Sequence, residues 1–159
     1  MAIWGGGQAK GGNQVTIRWK FYLWDEPRPA DPREVEFLEQ RWGIQFPEDY
    51  RRLIIAHQGM VPEPCVFNVG RGRDVMGPLL TLHVEPDREY YSVLQAHTLL
   101  APLVPPGIYP FATTPGGEYL CFDYRQPSAS PRIVLVTEEA SIHPLANSLR
   151  EFLDGLHEG

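Results

Sequence analysis

The sequence predicts a single mixed helix-and-strand domain, on three observations. A capped helical hairpin occupies residues 31–59, two alternating runs flank a Pro-Gly-Gly turn at 115–117, and a capped amphipathic helix closes the chain. The 159 residues, 43% hydrophobic and 21% charged, suffice for one globular core. We place that domain at 15–159, after a flexible Gly-rich tail at 1–14.

Taken in order, 15–24 alternates. Val15, Ile17, Trp19, Phe21 and Leu23 fall on one side, and Thr16, Arg18, Lys20, Tyr22 and Trp24 on the other. Period two argues for a strand with one buried face. A misread helix stays open, and aromatics on both faces leave open an edge that receives a partner. The prolines of 25–32 then break regular structure.

The helical hairpin follows. Asp31 is a good N-cap, Pro32 suits the first helical position, and Glu34 can reach back as in a capping box. Val35, Leu38 and Trp42 share a face, and Gly43 stops the helix with a left-handed residue. Pro47 opens the second helix, Glu48 and Asp49 complement its dipole, and Tyr50, Leu53, Ile54 and His57 face the core before Gly59.

Beyond Gly59, Val66–Val69 and Leu79–Val84 read as short strands around a Gly-Arg-Gly-Arg-Asp loop. Asp87 is expected to cap a third helix carrying Tyr91, Leu94 and Thr98, which Pro102, Pro105 and Pro106 end. Ile108–Thr113 and Glu118–Tyr124 form strands, with Leu120, Phe122 and Tyr124 on one face and Tyr119, Cys121 and Asp123 on the other. Arg132–Thr137 is a β-branched run suited to a central strand, and 138–144 reads as a connection. Ser148 and Glu151 supply a capping box, and Leu149, Phe152, Leu153 and Leu156 an apolar stripe.

Composition narrows the function. A formal net charge of -6 opposes direct nucleic-acid binding and suits a basic protein partner. No apolar run approaches the roughly 20 residues needed to cross a bilayer, and no secretory signal is evident. Two distant cysteines, Cys65 and Cys121, fit a reduced cytoplasmic chain. The five histidines are scattered without metal-ligand spacing, no nucleophile elbow surrounds a serine, and Cys121 sits among apolar neighbours. We expect no catalytic residues, no metal and no cofactor. Asp123, Arg125, Glu138 and Glu139, with Glu118, are either solvated strand-end charge or a partner-binding surface.

Several motifs carry a resemblance. The acidic helix from Glu34 to Trp42, then Gly-Ile-Gln-Phe-Pro-Glu-Asp-Tyr at 43–50 and a helix ending in Gln58-Gly59, resembles the N-terminal signature of the SUKH superfamily. Trp42, Phe46 and Gln58 stand where that signature has Leu, Leu and Asn. Gly116-Gly117, Leu120-Cys121-Phe122-Asp123, Ile133–Val136 and the run from Ala146 to Leu153 follow in the family's order, with Leu149 replacing its usual Phe. The resemblance spans roughly residues 31–156. It implies an α+β fold, a curved, mostly antiparallel sheet packed against an N-terminal helix pair and a C-terminal helix. It also implies a non-catalytic binding module, because many bacterial SUKH proteins look like immunity proteins that neutralise polymorphic toxins, often nucleases. Two other readings stay open: an intracellular regulatory scaffold, similar to fungal members tied to cell-wall synthesis, and a small-ligand enzyme.

Overall fold

The computed structural model describes residues 2–4, 16–84, 86–126 and 130–159. Strands β1 (Ala2–Trp4), β2 (Ile17–Lys20) and β3 (Val61–Glu63) form one antiparallel sheet, with α1 (Pro32–Trp42) and α2 (Glu48–His57) inserted between the last two. A hairpin of β4 (Val66–Val69) and β5 (Gly72–Val75) follows, then a 3-10 turn at Pro86–Tyr91 and helix α3 (Val93–Leu100). Strands β6 (Ile108–Thr113), β7 (Tyr119–Asp123), β8 (Arg132–Val136) and β9 (Ile142–Ala146) make an antiparallel meander, and α4 (Leu149–Asp154) closes the fold. This is the expected α+β class, although the strands divide into three sheets rather than one. Of the expected tail, only Ala2–Trp4 is described, as a strand on β2; the flexible-tail expectation for the rest of 1–14 lies outside the described residues.

The helical hairpin forms as its sequence dictates. The Arg33 N–H donates to Asp31 Oδ1 at 2.9 Å and the Asp31 N–H to Glu34 Oε1 at 3.0 Å, completing the capping box. Gly43 takes φ 65° at the C-terminus of α1. Glu39 then ties the hairpin together, accepting from the Phe46 N–H at 2.7 Å and from the Arg51 guanidinium. Tyr50, Leu53, Ile54 and His57 are all buried, as their spacing requires.

These faces meet the meander in one core. Phe122 on β7 lies 4.6 Å from Phe111, 5.1 Å from Tyr50 and 6.0 Å from Phe46, ring centre to ring centre. Leu149, Phe152 and Leu153 of α4 join the same cluster. β7 is buried along its whole length, so its two alternating faces are both inside.

Four expectations need correction. First, 79–84 does not form a strand. Gly77 and Leu80 donate to the carbonyls of Thr113 and Phe111, so the segment starts along the open edge of β6. Thr81 then turns away, because its N–H donates to the Tyr91 carbonyl and its own carbonyl accepts from Val93. Second, Ser92 caps α3 instead of Asp87, its Oγ accepting from the Gln95 N–H at 3.1 Å. The buried stripe is therefore Val93, Ala96 and Leu100, while Thr98 is exposed. Third, the connection expected at 138–144 contains the start of β9, an edge strand that tolerates Pro144. Fourth, β2 is flanked by β1 and β3 and so offers no free edge. Ile17 and Trp19 are buried as predicted, but the strand ends at Lys20 and Phe21 faces out.

Gln58 shows why the residue before Gly59 is an amide. Its Nε2 donates to the Arg28 carbonyl at 2.7 Å, and its Oε1 accepts from the Leu82 N–H at 2.9 Å. A buried side chain thus satisfies backbone groups of two loops that have no ladder partner there.

Candidate functional site

A groove of about 460 Å³ opens between the β2–β3 sheet and the ends of β5 and β6. Val61 and Pro62 of β3 face Val75, Met76 and Pro78 across it. Tyr22, Tyr90 and Tyr91 form an aromatic wall. Tyr91 packs edge-on against both others, at 6.3 Å from Tyr22 and 5.2 Å from Tyr90. Tyr22 is 55% exposed and Tyr90 45%, a large aromatic area to leave in water. The kinked 3-10 turn before α3 is what presents the two adjacent tyrosines, with Arg88 at φ -139° breaking the helical path.

The polar groups of the groove are engaged within the chain. Thr113 Oγ1 donates to the Glu118 carbonyl at 2.9 Å, and Thr114 Oγ1 accepts from the Glu118 N–H at 3.1 Å. Lys20 at another part of the lining pairs with Glu63 at 3.3 Å. Cys65 is a free, half-buried thiol there.

Carboxylates gather beside the groove where the β6–β7 turn meets β5. Glu118 is hydrogen-bonded to Asp74 and lies near the Glu138 charge. The Asp74 hydrogen bond, then partial burial, then the charges of Asp74 and Glu138 push the Glu118 carboxyl up to about 7. Gly117, at φ 87°, makes the close approach possible: a Cβ there would sit 3.2 Å from Glu138 Oε1 and 4.0 Å from the Tyr90 hydroxyl. Burial, then the neighbouring Tyr90, raises the Tyr119 phenol to about 12.

The Glu118 shift sets a pH dependence. Folding raises its pKa from 4.5 to about 7, so the folded state holds a proton that the unfolded chain releases. Its stabilising share is complete below pH 4.5 and is lost as pH rises through about 7. Glu118→Gln mimics the protonated form. It should melt above the parent at about pH 8 and lose that advantage as pH falls towards 4.5. Thermal melts at the two pH values check this, and a variant less stable than the parent at high pH contradicts the like-charge crowding.

The residues nominated from the sequence do not form one surface. Glu118 and Glu138 come together, joined by Asp74, which the sequence reading did not single out. Asp123 sits at the opposite end of β7, with only 1% of its side chain exposed. It accepts from the Arg125 N–H and Nε at 2.9 and 3.0 Å, from Arg125 Nη2 at 2.9 Å and from Arg132 Nη2 at 3.1 Å. Burial alone would raise its pKa, but these bonds override it and hold the carboxyl at about 2. Asp123 is therefore an internal brace, satisfied by its own chain's arginines, and is not an exposed contact for a partner. Glu139 is exposed in the turn between β8 and β9. The tyrosine wall escaped notice because its members are far apart in sequence and Tyr91 matched a helical stripe.

Elsewhere, Cys121 is fully buried and its thiol is pushed well up, first by burial and then by Asp123. His57 stacks on Trp19 at 5.5 Å, and burial lowers its pKa. Among the described residues, no group of three or more His, Cys, Asp and Glu side chains could hold a metal ion, and no helix is long and apolar enough to cross a membrane.

Comparison with known proteins adds two findings. The model of the SMI1 / KNR4 family (SUKH-1) matches residues 29–155. Uncharacterized protein YnaB of Bacillus subtilis (strain 168) is 44% identical over 32 residues, which are 20% of this chain and 22% of that protein. The match thus spans about a fifth of the curated relative.

Proposed function

The chain belongs to the SMI1 / KNR4 family (SUKH-1), and on that premise we propose that it is a non-catalytic protein-binding module. Its role is that of a cytoplasmic immunity protein, neutralising a cognate toxin by direct binding. The observation that carries the reading is the tyrosine-walled groove with carboxylates at its side, on a chain of net charge -6. Exposed tyrosine over an apolar floor is the composition of a protein-recognition surface, since a rigid ring contributes much contact area for little lost entropy. The acidic balance favours a basic partner and hastens encounter with it. The resemblance of the motif order to bacterial immunity proteins supplies the partner class, and nuclease toxins, whose substrate is polyanionic, fit the charge.

Inhibition then needs no chemistry from this chain. It occludes the toxin by covering its surface and by placing negative charge where the toxin would meet phosphate. The test is a pull-down with the purified chain against the products of neighbouring genes, followed by co-expression. A stoichiometric complex and rescued growth are expected. A folded chain that captures none of those products overturns the reading.

A further inference from the structure

We infer that the end of the groove bounded by Tyr90, Gly117 and Glu138 takes an arginine side chain presented on a loop of the partner protein. This rests on the reading of the chain as a protein-binding module and deepens it to a residue-level contact. The groove is open and its floor apolar, with Val61, Pro62, Val75 and Met76 along it, so it suits the apolar flanks of an extended segment. At its side the chemistry changes. Tyr90 is a half-exposed ring, and its hydroxyl lies 4.0 Å from where a Gly117 Cβ would be. Glu138 Oε1 lies 3.2 Å from that same point. The missing side chain thus leaves a notch with an aromatic group on one side and a carboxylate on another.

Three carboxylates, those of Asp74, Glu118 and Glu138, crowd this end, and the first two share a hydrogen bond. Two carboxyl groups bond to each other only when one holds a proton, so the free protein relieves its crowding that way. A guanidinium answers the same charge without the proton. It is planar, stacks on a tyrosine face, and donates in a fork that matches a carboxylate. A lysine ammonium is compact and strongly hydrated and gains less from the ring. Lys20, the cation of the groove lining, is already paired with Glu63 at 3.3 Å.

The probe is a short peptide, acetylated and amidated, with one arginine flanked by valine and glycine. Its controls carry lysine or uncharged citrulline in that place. Added to the uniformly labelled full chain, the arginine peptide should shift the amide resonances of Tyr90, Gly117, Glu118 and Glu138 and leave those of α4 alone. Citrulline should abolish the shifts, and lysine should weaken binding. Tyr90→Ala and Glu138→Gln, both at exposed positions, should each weaken it about tenfold with melting temperature unchanged. Equal shifts from the citrulline peptide, or shifts confined to another face, overturn the inference. A toxin that binds parent and both variants equally also overturns it while leaving the immunity reading intact. Peptide binding at the notch with no toxin captured leaves the notch standing and removes the immunity reading.

Discussion

Phe122→Ala is expected to cost about 3–5 kcal/mol of folding stability, the usual range for emptying a fully buried aromatic site. Phe122 is 0% exposed and stands where the meander meets the helical hairpin. It stacks on Phe111 at 4.6 Å and meets Tyr50 edge-on at 5.1 Å, with Phe46 at 6.0 Å and Tyr124 at 6.4 Å. Those rings come from β6, from α2, from the loop before α2 and from the residue after β7. Deleting Phe122 therefore removes transfer energy and leaves a void lined by atoms of several elements, which cannot all collapse into it. A domain of this size has roughly 5–15 kcal/mol in total, so the loss takes a third or more of it. The melting temperature should fall by roughly 10 °C. Urea unfolding of the variant beside Phe37→Ala measures the effect, because Phe37 is 54% exposed and its removal should change stability by about 0.5 kcal/mol or less. A loss of about 1 kcal/mol for Phe122→Ala would contradict the assignment of this ring to the centre of the core.

How far the fold was legible in the sequence follows from where its information lies. The caps of α1 are local: Asp31, Glu34 and Gly43 act within a few residues of one another, and all three do what their types and spacing require. The same holds for the β6–β7 turn, where Gly117 supplies φ 87°. The misplaced cap of α3 was a choice between two good capping residues, Asp87 and Ser92. A tertiary bond decided it. The Tyr91 carbonyl accepts from the Thr81 N–H, which fixes the chain in a 3-10 turn up to that point and delays the helix. The segment 79–84 failed as a strand for the same reason seen from its other side. Its apolar residues are buried, as a strand's would be, but Thr81 bonds the turn before α3 instead of a sheet neighbour.

The candidate site was less legible, because no local pattern encodes it. Its tyrosines lie at 22, 90 and 91 and its carboxylates at 74, 118 and 138, brought together by β2, the 3-10 turn, β5 and the two ends of the β7–β8 pair. Choosing acidic residues near strand ends found Glu118 and Glu138 and also found Asp123, since the rule cannot tell which end of β7 faces open space. The difference is one of partners. Asp123 has two arginines from its own sheet end, whereas the named neighbours that shift Glu118 are both acids.

That contrast makes Asp123 the second position where a large effect is expected, and it carries a distinct pH signature. Asp123→Ala should cost about 2 kcal/mol at neutral pH, the scale of a buried charged hydrogen-bond acceptor whose donors keep some access to water. Arg125 and Arg132 remain 36% and 37% exposed at the side chain, so they can be rehydrated, which keeps the loss below that of stranding a fully buried charge. The folded carboxyl titrates at about 2 and the unfolded one near 3.8. A lowered folded pKa gives stability that is present above the unfolded value and is lost as pH falls through the folded one. The gap between parent and variant should thus stay constant from neutral pH down to about 4 and narrow between there and about 2. Denaturant melts across that range read it directly, and a gap that instead closes between pH 8 and 6 would assign the brace to some other group. Because Asp123 and Glu118 bracket the same short strand, the two pH profiles should run in opposite directions: one end of β7 is held by an ion cluster that acid dissolves, the other by a shared proton that base removes. Measuring both single variants and the double variant separates the two ends, and near-additive losses are expected since no side-chain bond connects the arginine brace to the carboxylates beside Gly117.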